Sequence, residues 1–170
     1  MSHQLAKDLH ASGFRVFEIV PQTKRPALRG WQARAEKGDL SYWKEGCAVG
    51  IATGGPYPNG KYLVVIDVDN KPSENRDGFA SLAALEKANE PLPHCPRVRT
   101  RSGGRHYYMW SPVPVANGVG RVDADGKLHG IANGIDIRGT GGLVVAPGQM
   151  GYSWEEDSAT FQEFFRAGEW

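Results

Sequence analysis

The chain has 170 residues, 40% of them hydrophobic and 23% charged, which suffices for one domain with a core of its own. The net charge of +1 means that any attraction to nucleic acid must come from a local patch, not from an overall positive field. No apolar run approaches the ~20 residues of a membrane span, residues 1–7 lack the basic-then-apolar order of a signal peptide, and Cys47 and Cys95 are too isolated for a disulfide framework or a zinc ribbon.

In chain order, residues 2–12 predict a short helix with Leu5 and Leu9 on one side and Gly13 as its stop. Residues 14–20 predict a strand, followed by a loop over 21–30 that carries Lys24, Arg25 and two prolines. Asp39 is placed to cap a brief helix reaching Trp43, and residues 48–52 read as a strand running into the turn Thr53-Gly54-Gly55. A Pro/Asn/Gly loop over 56–61 leads into Leu63-Val64-Val65-Ile66-Asp67-Val68-Asp69, a β-branched strand ending in two carboxylates. Asp77-Gly78 opens a helix with Phe79, Leu82, Leu85 and Ala88 at helical spacing. Strands over 97–101 and 105–110 form a hairpin through Ser102-Gly103-Gly104. A polar, Gly-rich connection follows over 111–130, then strands over 135–137 and 143–146, then a helix over 158–167 that buries Phe161, Phe164 and Phe165. This succession of strands and helices predicts an α+β domain spanning residues 1–170.

Polar residues inside apolar strands carry the functional signal. Side chains on a strand alternate faces, so Asp67 and Asp69 project together while Val68 points into the core. Two carboxylates side by side at the end of a buried strand repel each other, and a hard divalent cation such as Mg²⁺ satisfies both. The bland alternative is a solvated D-x-D turn. The pair is no EF-hand, because Lys71 and Pro72 stand where that loop needs further ligands. Asp136, between two isoleucines, also needs a cation, either a metal or an arginine such as Arg138. His106 follows Ser102-Gly103-Gly104-Arg105, where a hydroxyl, free amides, Arg and His can cradle a triphosphate, although a single hydrogen-bonded structural histidine fits too. Arg97, Arg99 and Arg101 alternate, and so line one strand face either as solvated charge or as a track for a nucleic-acid backbone. Lys24 and Arg25 are an ordinary basic loop unless that loop overhangs the site.

The three motifs, in this order, resemble the primase-polymerase domain of the archaeo-eukaryotic primase superfamily, found at the N-terminus of plasmid and phage replication proteins. They are the 63–69 acidic strand, Thr100-Arg101-Ser102-Gly103-Gly104-Arg105-His106-Tyr107-Tyr108, and Gly134-Ile135-Asp136-Ile137-Arg138-Gly139 followed by Gly141-Gly142-Leu143-Val144-Val145-Ala146-Pro147. Flanking features resemble it too, from Lys24-x-Pro26 and Trp31 to Gly151-Tyr152-Ser153-Trp154. The resemblance implies an RRM-like mixed sheet with an N-terminal αβ subdomain, and DNA primase/polymerase activity that uses Mg²⁺ or Mn²⁺ at a two-metal site. It places Asp67, Asp69 and Asp136 on the catalytic, metal-binding acids and His106 on the residue that contacts the incoming triphosphate. Ser102, Gly104 and Arg105 fall in the same nucleotide loop, and Lys24, Thr53 and Arg138 at the rim of the pocket. Arg97, Arg99 and Arg101 are the candidates for nucleic-acid contact.

The partners so implied are dNTP or NTP, a single-stranded DNA template with its primer, and a fused or associated helicase, in the cytoplasm of a prokaryotic host. The chain then reads as the N-terminal fragment of a larger replication protein. Residues 111–133 contain no cysteine, so no zinc stem and no zinc are expected. Two other readings stay open: a nucleotide- or nucleic-acid-binding module of the same fold without chemistry, and a metal-dependent sugar-nucleotide transferase, whose D-x-D also chelates diphosphates.

Overall fold

The structure is a computed structural model that describes residues 1–167. Helix α1 (Ser2–Ala11) and strand β1 (Val16–Ile19) are followed by helix α2 (Trp31–Lys37) and strand β2 (Ala48–Ala52). Strand β3 (Tyr62–Val68) precedes a two-residue ribbon of β4 (Asn70–Lys71) and β5 (Arg76–Asp77), then helix α3 (Gly78–Ala88). The hairpin β6 (Arg97–Arg99) and β7 (Arg105–Ser111) leads to a small ribbon of β8 (Arg121–Val122) and β9 (Leu128–His129). Strands β10 (Ile135–Arg138), β11 (Leu143–Val145) and β12 (Ser153–Trp154) and helix α4 (Phe161–Ala167) complete the fold.

Two sheets form the frame, one in the order β1-β2-β11 and the other in the order β10-β3-β7-β6-β12. The mixture of helices and strands is the α+β class expected. The expected mixing of strand directions is not found, since every pairing in both sheets is antiparallel. Strands β3 and β6 run the same way with β7 between them, so α3 is the crossover of a split β-α-β unit.

Both faces of the five-stranded sheet are covered, which is why β3 reads as an almost unbroken apolar run. Leu63 and Val65 face a core shared with Phe14, Phe17, Ile51, Tyr108, Trp110 and Phe164. Val68 faces α3 and packs with Leu82, Tyr107 and Ile135. Fully burying each such side chain contributes roughly 1.5–3 kcal/mol. Helix α3 opens at Asp77-Gly78 as expected, and Asp77 caps it, its carboxylate accepting from the Ala80 amide at 3.0 Å.

Three local expectations give way. No helix runs from Asp39 to Trp43. Asp39 instead accepts from the Ser41 amide in a turn, and the helix lies earlier, at α2 between the left-handed glycines Gly30 and Gly38. Packing selects it: Trp31 lies against Phe17 with ring centroids 4.3 Å apart, and Arg34 reaches back to the buried Glu18. The connection over 111–130 contains the β8–β9 hairpin, closed by the Asp123 amide donating to the Lys127 carbonyl. Finally, β12 extends the large sheet at an edge that local pattern did not reveal.

Candidate active site

Strand register assembles the site. In the β3–β10 ladder Asp67 stands opposite Asp136, and in the β3–β7 ladder Asp67 stands opposite His106. The three therefore form one row across adjacent strands on one face of the sheet. Asp69 follows the end of β3, where its amide donates to the Gly134 carbonyl at 2.8 Å. All four side chains are buried, although none belongs to an apolar environment by nature.

The acids are compensated by arginines interleaved between them. Arg138 Nη2 lies 2.8 Å from Asp136 Oδ2 and 3.3 Å from Asp67 Oδ2. Arg76 Nη2 lies 2.8 Å from Asp136 Oδ1 and 2.7 Å from Asp69 Oδ2, and Lys71 Nζ is 3.4 Å from Asp69 Oδ1. The Gly120 amide adds a hydrogen bond to Asp136 at 3.0 Å. Gly120 reaches that position because a Cβ there would collide with the carbonyls of Ala132 and Ile135.

His106 Nε2 lies 3.4 Å from Asp67 Oδ1. Burial pushes the Asp67 carboxyl upward, but the His106 hydrogen bond and charge, with Lys24 and Arg138, outweigh it and hold Asp67 well below the ordinary carboxylate range. Beneath this row, the Tyr108 hydroxyl and His106 Nδ1 are buried without a hydrogen-bond partner among the described residues. Burial, and then the Asp67 charge, push the Tyr108 phenol far up, so it stays a neutral donor.

Asp67 and His106 of this row open into a cleft of about 340 Å³ between the two sheets, whereas Asp136 and Asp69 lie outside its lining. Lys24, Asp67, His106, Arg138 and Tyr152 line it, with β11 as the opposite wall. Its mouth is thus cationic and its floor carries a carboxylate. The loop bearing Lys24 does overhang the site.

Other sequence candidates lie elsewhere. Arg105 precedes His106 on the same strand, so its side chain is on the opposite sheet face, donating to Glu155 at 2.6 Å and to the Tyr107 hydroxyl at 3.1 Å. Arg97 and Arg99 share that far face, and Arg97 Nε lies 3.3 Å from Glu155. Arg101 has left the strand and donates to Gln22 at 3.2 Å, on the side of the Lys24 loop. Ser102 and Gly104 are outside the cleft lining. Ser102 lies 3.3 Å from the Thr100 hydroxyl, and Gly104 is glycine because a Cβ would strike the Val68 carbonyl, so its close approach is to backbone. Thr53 is buried, its hydroxyl donating at 2.7 Å to the Gly139 carbonyl, which shapes the 139–142 turn at the cleft wall.

Sequence reasoning missed Arg76, Lys71 and Tyr152. The signal for the first was available in principle, since three acids on one buried face require several cations nearby.

Carboxylate oxygens are the hard donors that Mg²⁺ and Mn²⁺ take, and three such groups from neighbouring backbone positions fit those ions chemically. As the side chains stand, no group of three His, Cys, Asp or Glu among the described residues could hold an ion. Guanidinium groups lie in the gaps.

An antiparallel sheet with acids, a histidine and a cationic cleft on one face defines a domain equipped to handle a polyanionic ligand. The family profile for bifunctional DNA primase/polymerase, N-terminal (Prim-Pol) matches residues 6–170, and the chain belongs to this family. A search of curated proteins finds no match. No helix among the described residues is long and apolar enough to cross a membrane.

Proposed function

We propose that the chain carries out template-directed nucleotidyl transfer by a two-metal mechanism, extending a DNA primer with dNTP or NTP. The observation that supports it most is the row Asp136–Asp67–His106, set across three strands, with Asp67 and His106 lining a cationic cleft. Asp67, Asp69 and Asp136 would hold Mg²⁺ or Mn²⁺, which when bound supply charge neutralisation and activation of the attacking hydroxyl. Lys24, His106 and Arg138 bind and orient the triphosphate. Attack by the primer 3′-oxygen on the α-phosphorus then forms one P–O bond and breaks another, releasing pyrophosphate. Such transfer needs positioning and charge compensation more than covalent catalysis by the protein.

In this reading Arg101 and the Lys24 loop flank the entry for template and primer. Arg97 and Arg99 contribute to nucleic acid only on the far face. The single domain acts as the N-terminal module of a helicase-containing replication protein of a phage or plasmid, in the cytoplasm of a prokaryotic host. The family's own description as an N-terminal domain supports that placement.

Primer extension on a single-stranded template tests the mechanism. Asp67→Ala and Asp136→Ala should each lower extension by about 100-fold or more, the scale for removing a preorganised charge-stabilising group. Activity retained in either variant removes the mechanism. The arginine bridges favour a second reading, a binding module without chemistry. It would show dNTP binding that needs no divalent ion, and no product with any primer.

A further inference from the structure

We propose that Arg76 is the resident counter-ion of the acid cluster and makes divalent-cation binding depend on the arrival of the triphosphate. This inference rests on the two-metal reading above. Arg76 belongs to no sequence motif and lies in the ribbon between β3 and α3. One of its nitrogens, Nη2, serves two carboxylates at once, at 2.7 Å from Asp69 and 2.8 Å from Asp136, and also donates to the Gly120 carbonyl at 3.2 Å. It occupies the bridging position that a cation shared by these two acids would take.

Charge decides what this does. Asp67, Asp69 and Asp136 are matched by Arg76, Arg138 and Lys71, each within ion-pair distance of at least one of the acids. Three negative charges against three positive cancel, and Lys24 and His106 beside Asp67 add no negative charge, so the cluster holds no surplus that would draw in a cation. A guanidinium does not deprotonate in a protein, so its charge persists at any working pH. A free divalent ion must shed much of its water to enter a site with no net attraction. A triphosphate changes the balance, because it brings several negative charges and gives the cleft cations a new partner.

The two arginines are not equivalent in this respect. Arg138 lines the cleft, so it can turn from carboxylates to phosphate. Arg76 lies outside the cleft lining and has no such alternative, so its charge stays beside the acids and is offset only when the triphosphate brings its own negative charge. Cation and nucleotide therefore load together.

The test is calorimetric titration of Mn²⁺ into the nucleotide-free chain, for wild type, Arg76→Met and Arg76→Lys. A parallel titration of wild type is made with a non-hydrolysable dNTP present, corrected for Mn²⁺ bound by the nucleotide alone. Arg76→Met should tighten nucleotide-free Mn²⁺ binding roughly tenfold, the scale of one unit charge removed from beside a screened site. Arg76→Lys should keep the weak wild-type affinity, and nucleotide should tighten Mn²⁺ binding to wild type. A purely structural Arg76 would give the opposite sign, since splayed acids bind Mn²⁺ more weakly. Unchanged or weaker binding in Arg76→Met overturns the inference. Should that variant fail to fold, Lys71→Met carries the same charge change from a more exposed side chain, and unchanged affinity there also overturns it. Wild type that binds no Mn²⁺ even with nucleotide overturns the two-metal reading itself.

Discussion

Asp136 stands directly opposite Asp67 across the β3–β10 ladder, and a single guanidinium, that of Arg138, touches both. Two carboxylates brought together by strand pairing repel unless a cation is present, so the register of one ladder creates the demand that the rest of the site answers. His106 arrives in the same row by the same means, through the β3–β7 ladder.

His106 faces the cleft that holds Lys24 and Arg138. Its replacement by alanine should therefore raise KM for dNTP about tenfold or more, on the scale of one hydrogen bond to a charged group. Affinity for the DNA template, measured by fluorescence anisotropy, should change little. An unaltered KM would remove His106 from the nucleotide site.

Glu18 is 2% exposed and accepts two hydrogen bonds from Arg34, at 2.7 and 2.9 Å. Arg34→Ala leaves that carboxylate with only the Lys44 amide, at 3.4 Å. The expected cost is about 3 kcal/mol in urea unfolding, at the low end for a broken buried pair because Arg34 is partly exposed. A loss under 1 kcal/mol would mean that water replaces the guanidinium.

The depressed carboxyl of Asp67 links stability to pH with a definite sign. Its native value lies below the ordinary 3.8, so it contributes stability that is fully present above that value and is lost as pH falls through the native one. The difference in unfolding free energy between wild type and Asp67→Asn should hence be level near neutral pH and shrink below about pH 4. A difference that grows on acidification would contradict the assignment.

Burial pushes the Cys95 thiol up to about 11. The thiolate is the reactive form, so native Cys95 should label slowly with iodoacetamide at pH 8 and rapidly in urea. Fast labelling of the native chain would show that this face of the sheet opens.

Local pattern carried much of the fold. The β-branched run of β3, the start of α3 at Asp77-Gly78 and the glycine turn between β6 and β7 were legible because each rests on neighbours in sequence. Helix α2 was not, because its stability comes from Trp31 on Phe17 and Arg34 on Glu18, contacts with a distant strand. Strand alternation was also enough to separate Arg105 from His106, although proximity in sequence had grouped them.

By itself the sequence determined which chemical groups this protein has to work with, namely buried-strand acids, a histidine after a glycine turn and a basic loop, since these follow from residue type and short-range periodicity. Only the tertiary structure decided which of them meet. Pairing register chose Asp136 and His106 as the neighbours of Asp67, and a ribbon outside every motif delivered Arg76 to the gap between two acids. Long-range register and counter-ion placement depend on closing the whole sheet, and no local window of residues encodes them.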